Sequence, residues 1–459
     1  MTKRIVICCD GTWNEPESTK EEQKVPTNVL KMVRAVLPRD GQSGMDQVVY
    51  YDQGVGTGAV GKLDKLIGGG TGYGISKNIQ DCYNFIANNY VDGDDLFLFG
   101  FSRGAYTVRS LGGMLGTIGL LSKNDLRYVP EAYAYYHLDP DEREQSDFHG
   151  LITTLPRPEA KVRIKFLGVW DTVGALGIPT PGLGRVQKWA GKIWEGVRVG
   201  FHDCNLTEIV ENAFQALAID ERRGPFEPSV WDKITGQDRV LQSWFAGVHS
   251  NIGGGYPDGG LSDTALVWMA NRAQECGLDI SETFMSDPER VDGDPLGKLE
   301  DSYSAGYKAL EFLRVKPHLR PIGQHLEVGE MIHESAIRRL TEDSHYRPKN
   351  VPDIGETPAL IDENGRQLLQ VGQRIVPVFR ERKVLRQSGN ETDASFTSEG
   401  QVSQPCTIVD FAPSGGARLR VNGGPQVGDR LALESDLTDN STGVVVWQRE
   451  DEVGVRFVA

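Results

Sequence analysis

The sequence predicts an α/β fold: a mostly parallel sheet with helices on both faces, followed by a small C-terminal antiparallel β-barrel. Three observations carry this. Apolar runs of strand length alternate with helical patterns over the first two-thirds of the chain. One of those strands runs through a glycine-flanked serine directly into a helical pattern. From Cys406 to Ala459 the pattern becomes short alternating runs separated by Gly- and Asp-rich turns.

The strands are expected at Arg4–Cys9, Gln47–Tyr51, Leu96–Phe99, Ile164–Trp170 and Val240–Gly247. Their apolar residues are continuous rather than alternating, as strands covered on both faces require. Between the second and third strands, Ile75, Ile79, Cys82 and Ile86 recur at helical spacing and predict a helix over Tyr73–Tyr90. A second helix is predicted over Arg103–Leu115. In such sheets ligands bind beyond the carboxyl ends of the strands, so the loops there are where chemistry is sought. Composition shifts near Pro348-Lys349-Asn350-Val351-Pro352, where Pro, Gly and charge become frequent. The expected organisation is a catalytic domain over 1–355, a linker or peripheral segment over 356–378, and a barrel over 379–459.

With 459 residues the chain has room for two or three domains at about 150 residues each. Asp and Glu number 64 against 49 Lys and Arg, for a net charge of −15. That balance excludes a protein holding a nucleic-acid polymer on a broad basic face. An apolar share of 39% excludes a disordered chain. No apolar run approaches the roughly 18 residues of a membrane span, and Ile5–Cys9 is too short for a secretory core. A cytoplasmic product is expected, with export by a signal-independent route left open. Cys8, Cys9, Cys82, Cys204, Cys276 and Cys406 form no metal-ligand or redox spacing and read as reduced thiols.

The chemistry centres on Leu96-Phe97-Leu98-Phe99-Gly100-Phe101-Ser102-Arg103-Gly104-Ala105. A buried strand, G-x-S-x-G and a helix opening together make a nucleophile elbow of the α/β-hydrolase kind. The tight turn lifts the Ser102 hydroxyl above the sheet, and the Arg103 amide at the helix start is placed to stabilise an oxyanion. A serine hydroxyl needs a base oriented by an acid, in the chain order Ser, Asp or Glu, His. Asp171, at the end of Ile164–Trp170, is the acid. His249, in Gly247-Val248-His249-Ser250-Asn251 after the next apolar run, is the base. His333 is its rival but does not directly follow such a run. Asp10-Gly11-Thr12 ends the first strand, so amides near Gly11 and Thr12 are candidates for the second oxyanion donor, while Asp10 braces the loop.

These stretches resemble a bacterial family of α/β-hydrolase-like proteins whose characterised members include phospholipase effectors of type VI secretion. The matching segments are Asp10–Asn14, Tyr51–Thr57, Gly100–Ala105, Gly168–Val173 and Gly247–Ser250. Ala218–Arg223 and Ile332–Ser335 also look like signatures of the family, and the resemblance covers roughly residues 1–350. It implies Ser102 as nucleophile, Asp171 as acid and His249 as base, acting on lipid esters. Where the family often has Asp two residues after the His, this chain has Asn251.

Gly56–Leu63 nearly matches a phosphate-binding loop, but Leu63 stands where Ser or Thr must hold magnesium. Asp92-Gly93-Asp94-Asp95 lacks the spacing of a calcium loop and reads as a solvated turn. Gly184–Phe201 carries Trp189 and Trp194 among four cations, which suits a lid touching anionic lipid; a covering helix with core aromatics is the equal alternative. Arg382–Arg386, Asp410–Leu419, Val427–Leu431 and Val453–Phe457 resemble the PilZ domain, a small β-barrel that often binds cyclic di-GMP. That resemblance implies Arg382, Arg386, Asp410 and Gly415 as contacts, with Ala412 replacing the usual serine. A barrel that only docks on the hydrolase or on a partner is the alternative.

The resulting expectation is a serine hydrolase cleaving phospholipid acyl esters, with no metal or cofactor required and transient contact with a membrane surface. Two alternatives stand beside it: an esterase or thioesterase with a small soluble substrate, and a non-catalytic cyclic-di-GMP receptor on a hydrolase scaffold.

Overall fold

Arg4-Ile5-Val6-Ile7-Cys8-Cys9 is buried along its whole length, and its side chains divide by parity. Ile5, Ile7 and Cys9 enter one apolar layer, and Val6 and Cys8 the other. This strand, β1 (Arg4–Cys9), lies inside a sheet completed by β2 (Gln47–Asp52), β3 (Asp95–Phe101), β4 (Ile164–Trp170), β5 (Ala213–Ala218), β6 (Val240–Phe245), β7 (Glu330–His333), β8 (Leu360–Ile361), β9 (Gln367–Val371) and β10 (Arg374–Phe379). The order is β8-β9-β10-β7-β6-β5-β4-β3-β1-β2. Every pairing from β2 to β10 is parallel, and β9 and β8 join antiparallel.

The computed structural model describes residues 2–11, 19–20, 23–41, 43–54, 72–156, 162–174, 206–232, 239–303 and 317–351, together with strands at 360–361, 367–371, 374–379, 392–398, 404–412, 416–421, 430–434, 441–449 and 452–457. Two compact units emerge, Met1–Phe379 and Arg380–Ala459.

Helices cover both faces of the large sheet. One layer packs α2 (Gly72–Asn89) and α3 (Arg103–Ile118) through Ile79, Ile86, Val108 and Leu111. The other packs α1 (Asn28–Ala35) and α5 (Gly260–Glu275), with α4 (His249–Gly253) between β6 and α5. Thr27 caps α1, its hydroxyl oxygen accepting the Leu30 N–H at 3.2 Å.

Three expectations about the elements change. β5 and β7 were not foreseen, and both belong to the parallel sheet. The stretch 356–378, expected as a linker or peripheral segment, carries β8, β9 and most of β10, and β10 pairs parallel to β7. Its Pro377 lies opposite Leu368 of β9, one residue before β10 begins to pair with β7 at Val378 and Phe379.

The C-terminal unit is a closed antiparallel barrel, β11 (Thr392–Ser398), β12 (Gln404–Ala412), β13 (Gly416–Val421), β14 (Arg430–Glu434), β15 (Ser441–Arg449) and β16 (Glu452–Phe457), in the order β11-β12-β13-β16-β15-β14. Phe396, Leu419, Val421, Leu431, Leu433, Val453 and Val455 fill it at alternate positions. Its first strand begins ahead of Cys406, where the sequence pattern starts to alternate. Among the described residues no helix is long and apolar enough to cross a membrane.

Candidate active site

At the carboxyl end of β3 the backbone turns sharply. Ser102 has φ 58° and ψ −121°, a conformation that a side-chain-bearing residue adopts at a cost of about 1–3 kcal/mol. The turn is held by the Ser102 N–H, which donates to the Trp170 carbonyl at 3.0 Å. Beyond Ser102, Arg103 opens α3, whose first-turn N–H groups have no partner within the helix and carry its positive dipole end. Burial lowers the Arg103 guanidinium to about 10.

Asp171 follows the last residue of the neighbouring β4 and is also in the left-handed region, at φ 42°. Its N–H donates to Ala216 on β5 at 2.8 Å. Its side chain is fully buried and accepts on both oxygens. Oδ1 takes the Ala218 N–H at 3.0 Å and an Arg320 N–H at 2.6 Å. Oδ2 takes a second Arg320 N–H at 3.0 Å and faces His249 Nδ1 at 2.6 Å. Burial alone would raise this carboxyl, but the Arg320 charge and the His249 bond outweigh it and hold it well below the ordinary carboxylate range.

His249 begins α4, just past β6, and its Nε2 lies 2.8 Å from Ser102 Oγ. The hydrogen-bond pattern assigns the proton to Nδ1, donating to Asp171, and leaves Nε2 to accept from the serine. The Phe101 ring tilts over the imidazole at 4.7 Å between centroids, and Phe226 meets it edge-on at 5.0 Å. A Cβ on Gly253 would fall 2.0 Å from the Phe101 ring, so α4 passes too close to β3 for any side chain there. Glu221 holds the base of the loop, accepting the His249 N–H at 3.2 Å. The same carboxylate binds Arg223 with bonds of 2.8 Å at both oxygens and takes the Ser302 hydroxyl at 3.0 Å. Burial would raise Glu221, but the Arg223 bonds bring it below its usual value.

Other expected positions fall out differently. Asp10 is buried and accepts the Thr27 hydroxyl at 2.5 Å and the Tyr51 hydroxyl at 2.9 Å, which braces the β1 loop. It also draws the Gly11 N–H, at 2.7 Å. The amide expected to face an oxyanion is therefore engaged by a buried carboxylate. Thr12 lies outside the described residues, as do Trp189, Trp194, Arg382, Arg386, Gly415 and the loop Gly56–Leu63. Asp410 is on β12 in register with Arg418. His333 caps the helix Glu334–Glu342 (α6), with Nδ1 2.8 Å from the Ser335 hydroxyl and its ring stacked 4.2 Å from Phe245, away from Ser102. In the Asp92–Asp95 turn, Asp94 takes the Lys3 and Val91 amides at 2.8 and 2.9 Å and pairs with the Lys3 ammonium.

Asn251 explains its own presence. Its Oδ1 accepts the Val248 and Glu300 N–H groups, each at 3.3 Å, and its Nδ2 donates to the Lys298 carbonyl at 3.2 Å. The amide supplies both functions, whereas an ionised carboxylate at this position could only accept. Sequence reasoning missed Arg320, which stands in no motif. It also gave no role to Glu221, although the segment Ala218–Arg223 pointed to that loop.

The profile of type VI secretion phospholipase effector Tle1-like catalytic domains matches residues 3–272, and that of the PilZ domain matches residues 382–459. An uncharacterized protein of Saccharomyces cerevisiae is 28% identical over 246 residues, 49% of this chain and 32% of that protein. The chain thus spans about a third of the length of this curated relative. An uncharacterized protein from Pseudomonas aeruginosa is similar in structure at a TM-score of 0.33 and 18% identity, over 62% of this chain and 47% of that one. The Tle1 effector bound to the VgrG spike of the type 6 secretion system is similar at a TM-score of 0.37 and 14% identity, over 71% of this chain and 82% of that one. With more than half of its residues inside the first profile, the chain belongs to the Tle1-like phospholipase effector family of type VI secretion, and it ends in a PilZ domain.

Proposed function

We propose that the N-terminal unit is a serine hydrolase that cleaves phospholipid acyl esters through Ser102, His249 and Asp171. One observation carries the reading: the unbroken line from Ser102 Oγ to His249 Nε2 at 2.8 Å and from Nδ1 to Asp171 Oδ2 at 2.6 Å. His249 takes the Ser102 proton as Oγ bonds to the acyl carbonyl carbon, and the carbonyl oxygen becomes an oxyanion. The Arg103 amide at the start of α3 faces that charge. His249 then gives the proton to the departing alcohol oxygen as the ester bond breaks. Water, deprotonated by the same imidazole, releases the fatty acid and restores Ser102. Gly11 joins the oxyanion donors only by exchanging its bond to Asp10.

The lipid part of the proposal rests on membership of a phospholipase family. The aromatic and cationic segment Gly184–Phe201 is proposed as the surface that meets the bilayer. The PilZ domain is proposed to bind cyclic di-GMP and set the activity of the hydrolase, with Arg382 and Arg386 gripping phosphate and Ala412 forfeiting one hydroxyl contact.

The test is acyl release from phospholipid vesicles and from short-chain nitrophenyl esters, for the wild type and Ser102→Ala. Loss of about 10⁴-fold or more in the variant on both substrates supports the nucleophile. A wild type that cleaves only the soluble esters turns the reading to a small-substrate esterase. Equal silence of both proteins, with and without cyclic di-GMP, refutes the hydrolase. Titration of the wild type and of Arg382→Ala with Arg386→Ala tests the PilZ domain, and a wild type that binds no dinucleotide removes that part.

A further inference from the structure

Arg320 reaches Asp171 from outside every motif of the sequence. It is 1% exposed and sits in an irregular stretch that precedes the 3-10 turn Leu326–Val328 and β7. Its two terminal nitrogens lie 2.6 and 3.0 Å from the two oxygens of Asp171, a fork matched to a carboxylate. The first nitrogen also donates to the Ala218 carbonyl at the end of β5, at 2.9 Å, and the second to the Phe226 carbonyl. Phe226 is the residue whose ring meets the imidazole edge-on. One guanidinium therefore ties together the carboxylate, the strand end that also bonds it, and the aromatic wall of the base.

We infer that Arg320 is a positioning residue for the reaction at Ser102, fixing both oxygens of Asp171 and sharing the charge that Asp171 presents to His249. This rests on the Ser102–His249–Asp171 reading. Asp171 lies in the left-handed region at φ 42°, and the bonds from Ala218 and Arg320 fix how its carboxylate is turned, leaving Oδ2 on Nδ1. The charge argument follows from burial. A carboxylate alone in that position either takes up a proton or strongly favours the imidazolium, and both outcomes remove the free base. Paired with a guanidinium, it stays ionised and presents a nearly neutral ion pair to the ring. Among the described residues, the groups facing the imidazole are Asp171 at Nδ1, Ser102 at Nε2, the rings of Phe101 and Phe226, and Glu221 at the backbone N–H, itself paired with Arg223.

The experiment compares Arg320→Lys, Arg320→Met and Arg320→Ala in the full chain, measuring kcat/KM for a short-chain nitrophenyl ester across about pH 5 to 9. Lysine keeps the charge and loses the fork, so kcat/KM falls about 10-fold with the acid limb in place. Methionine loses both; kcat/KM falls about 100-fold and the acid limb moves up by about one unit or more. Millimolar guanidinium, present through expression and purification, restores Arg320→Ala, and urea, of the same shape but neutral, does not. A folded methionine variant with the wild-type rate and pH profile overturns the inference, as does equal rescue by urea. If the methionine variant does not fold, the rescue experiment decides by the same criterion. Ser102→Ala separates the two levels: full activity there refutes the site itself, whereas an inactive Ser102→Ala beside unaffected Arg320 variants refutes only the role of Arg320.

Discussion

Gly104→Ala is a one-methyl change that measures how tightly the elbow is built. A Cβ on Gly104 would lie 2.1 Å from the Cys9 carbonyl oxygen and 2.5 Å from that of Asp10, both rigid backbone at the end of β1. Contacts of a real Cβ stay above 3.0 Å, so α3 must withdraw from β1 by about 1 Å. That movement carries Ser102 and the first-turn amides with it. Overpacking of this kind destabilises by about 1–3 kcal/mol. A displacement of about 1 Å in reacting geometry lowers turnover about 100-fold. The same helix provides its own control. A Cβ on Gly112 meets only the Ile164 side chain, at 3.5 Å, an ordinary contact. Gly112→Ala is therefore neutral or gains up to about 1 kcal/mol from helix propensity. Urea midpoints and kcat/KM on a nitrophenyl ester read both variants. If Gly104→Ala matches Gly112→Ala in stability and rate, the account of a closely packed elbow is wrong.

Asn251→Asp restores the residue common in the family but sets an oxygen against the Lys298 carbonyl, so stability should fall by about 1–3 kcal/mol; an unchanged urea midpoint refutes this. Glu221→Gln sets an amide against an Arg223 donor in either orientation, and against the His249 N–H as well in one of them, so kcat should drop about 10-fold with KM little changed. Equal kcat in steady-state kinetics would show that the loop holds without the charge. Asp220 is raised to about 6 by burial, against the Gly247 N–H and the Tyr346 hydroxyl that its Oδ2 accepts at 2.7 and 2.9 Å. An acid raised on folding stabilises the protein fully below its unfolded value of about 4, and that contribution disappears as pH rises through the folded value. Wild-type stability should therefore fall between about pH 4 and 6 relative to Asp220→Asn, by on the order of 2 kcal/mol. Parallel stability curves for the two proteins count against this assignment.

Legibility in the sequence followed how local each constraint is. β1, β3, β4 and β6 were readable because burial on both faces demands unbroken apolar runs, and Ile5 to Cys9 divide between two cores as such a run must. β5 was not, because Ala213–Ala218 has Gln215 in the middle of a buried strand. That glutamine is satisfied by the Thr172 hydroxyl at 2.5 Å and by Gln242 on β6 at 3.2 Å, partners that no local pattern announces. β8 to β10 were hidden for a different reason: their short apolar runs, Leu368-Leu369 and Ile375-Val376, lie among Pro, Gly and charged residues, which gave the stretch the composition of a linker or peripheral segment.

The same division runs through the site. Ser102 was legible because its strain is written locally, in a strand, two glycines and a helix start. Asp171 and His249 followed from the order of strand ends along the chain, a topological constraint that survives a separation of 78 positions. For Gly11, position at a strand end says where an amide lies and not which acceptor it meets; in the structure that acceptor is one residue back, the buried Asp10 carboxylate. Arg320 had no signal at all. It is 149 positions from Asp171, in a segment without regular structure, and its type marks a charge without naming a partner. Yet burial of an anion at Asp171 implied that a cation or several donors had to exist somewhere in the chain. Sequence reading can thus state that a buried carboxylate at Asp171 needs a partner, while only coordinates identify the side chain that supplies it.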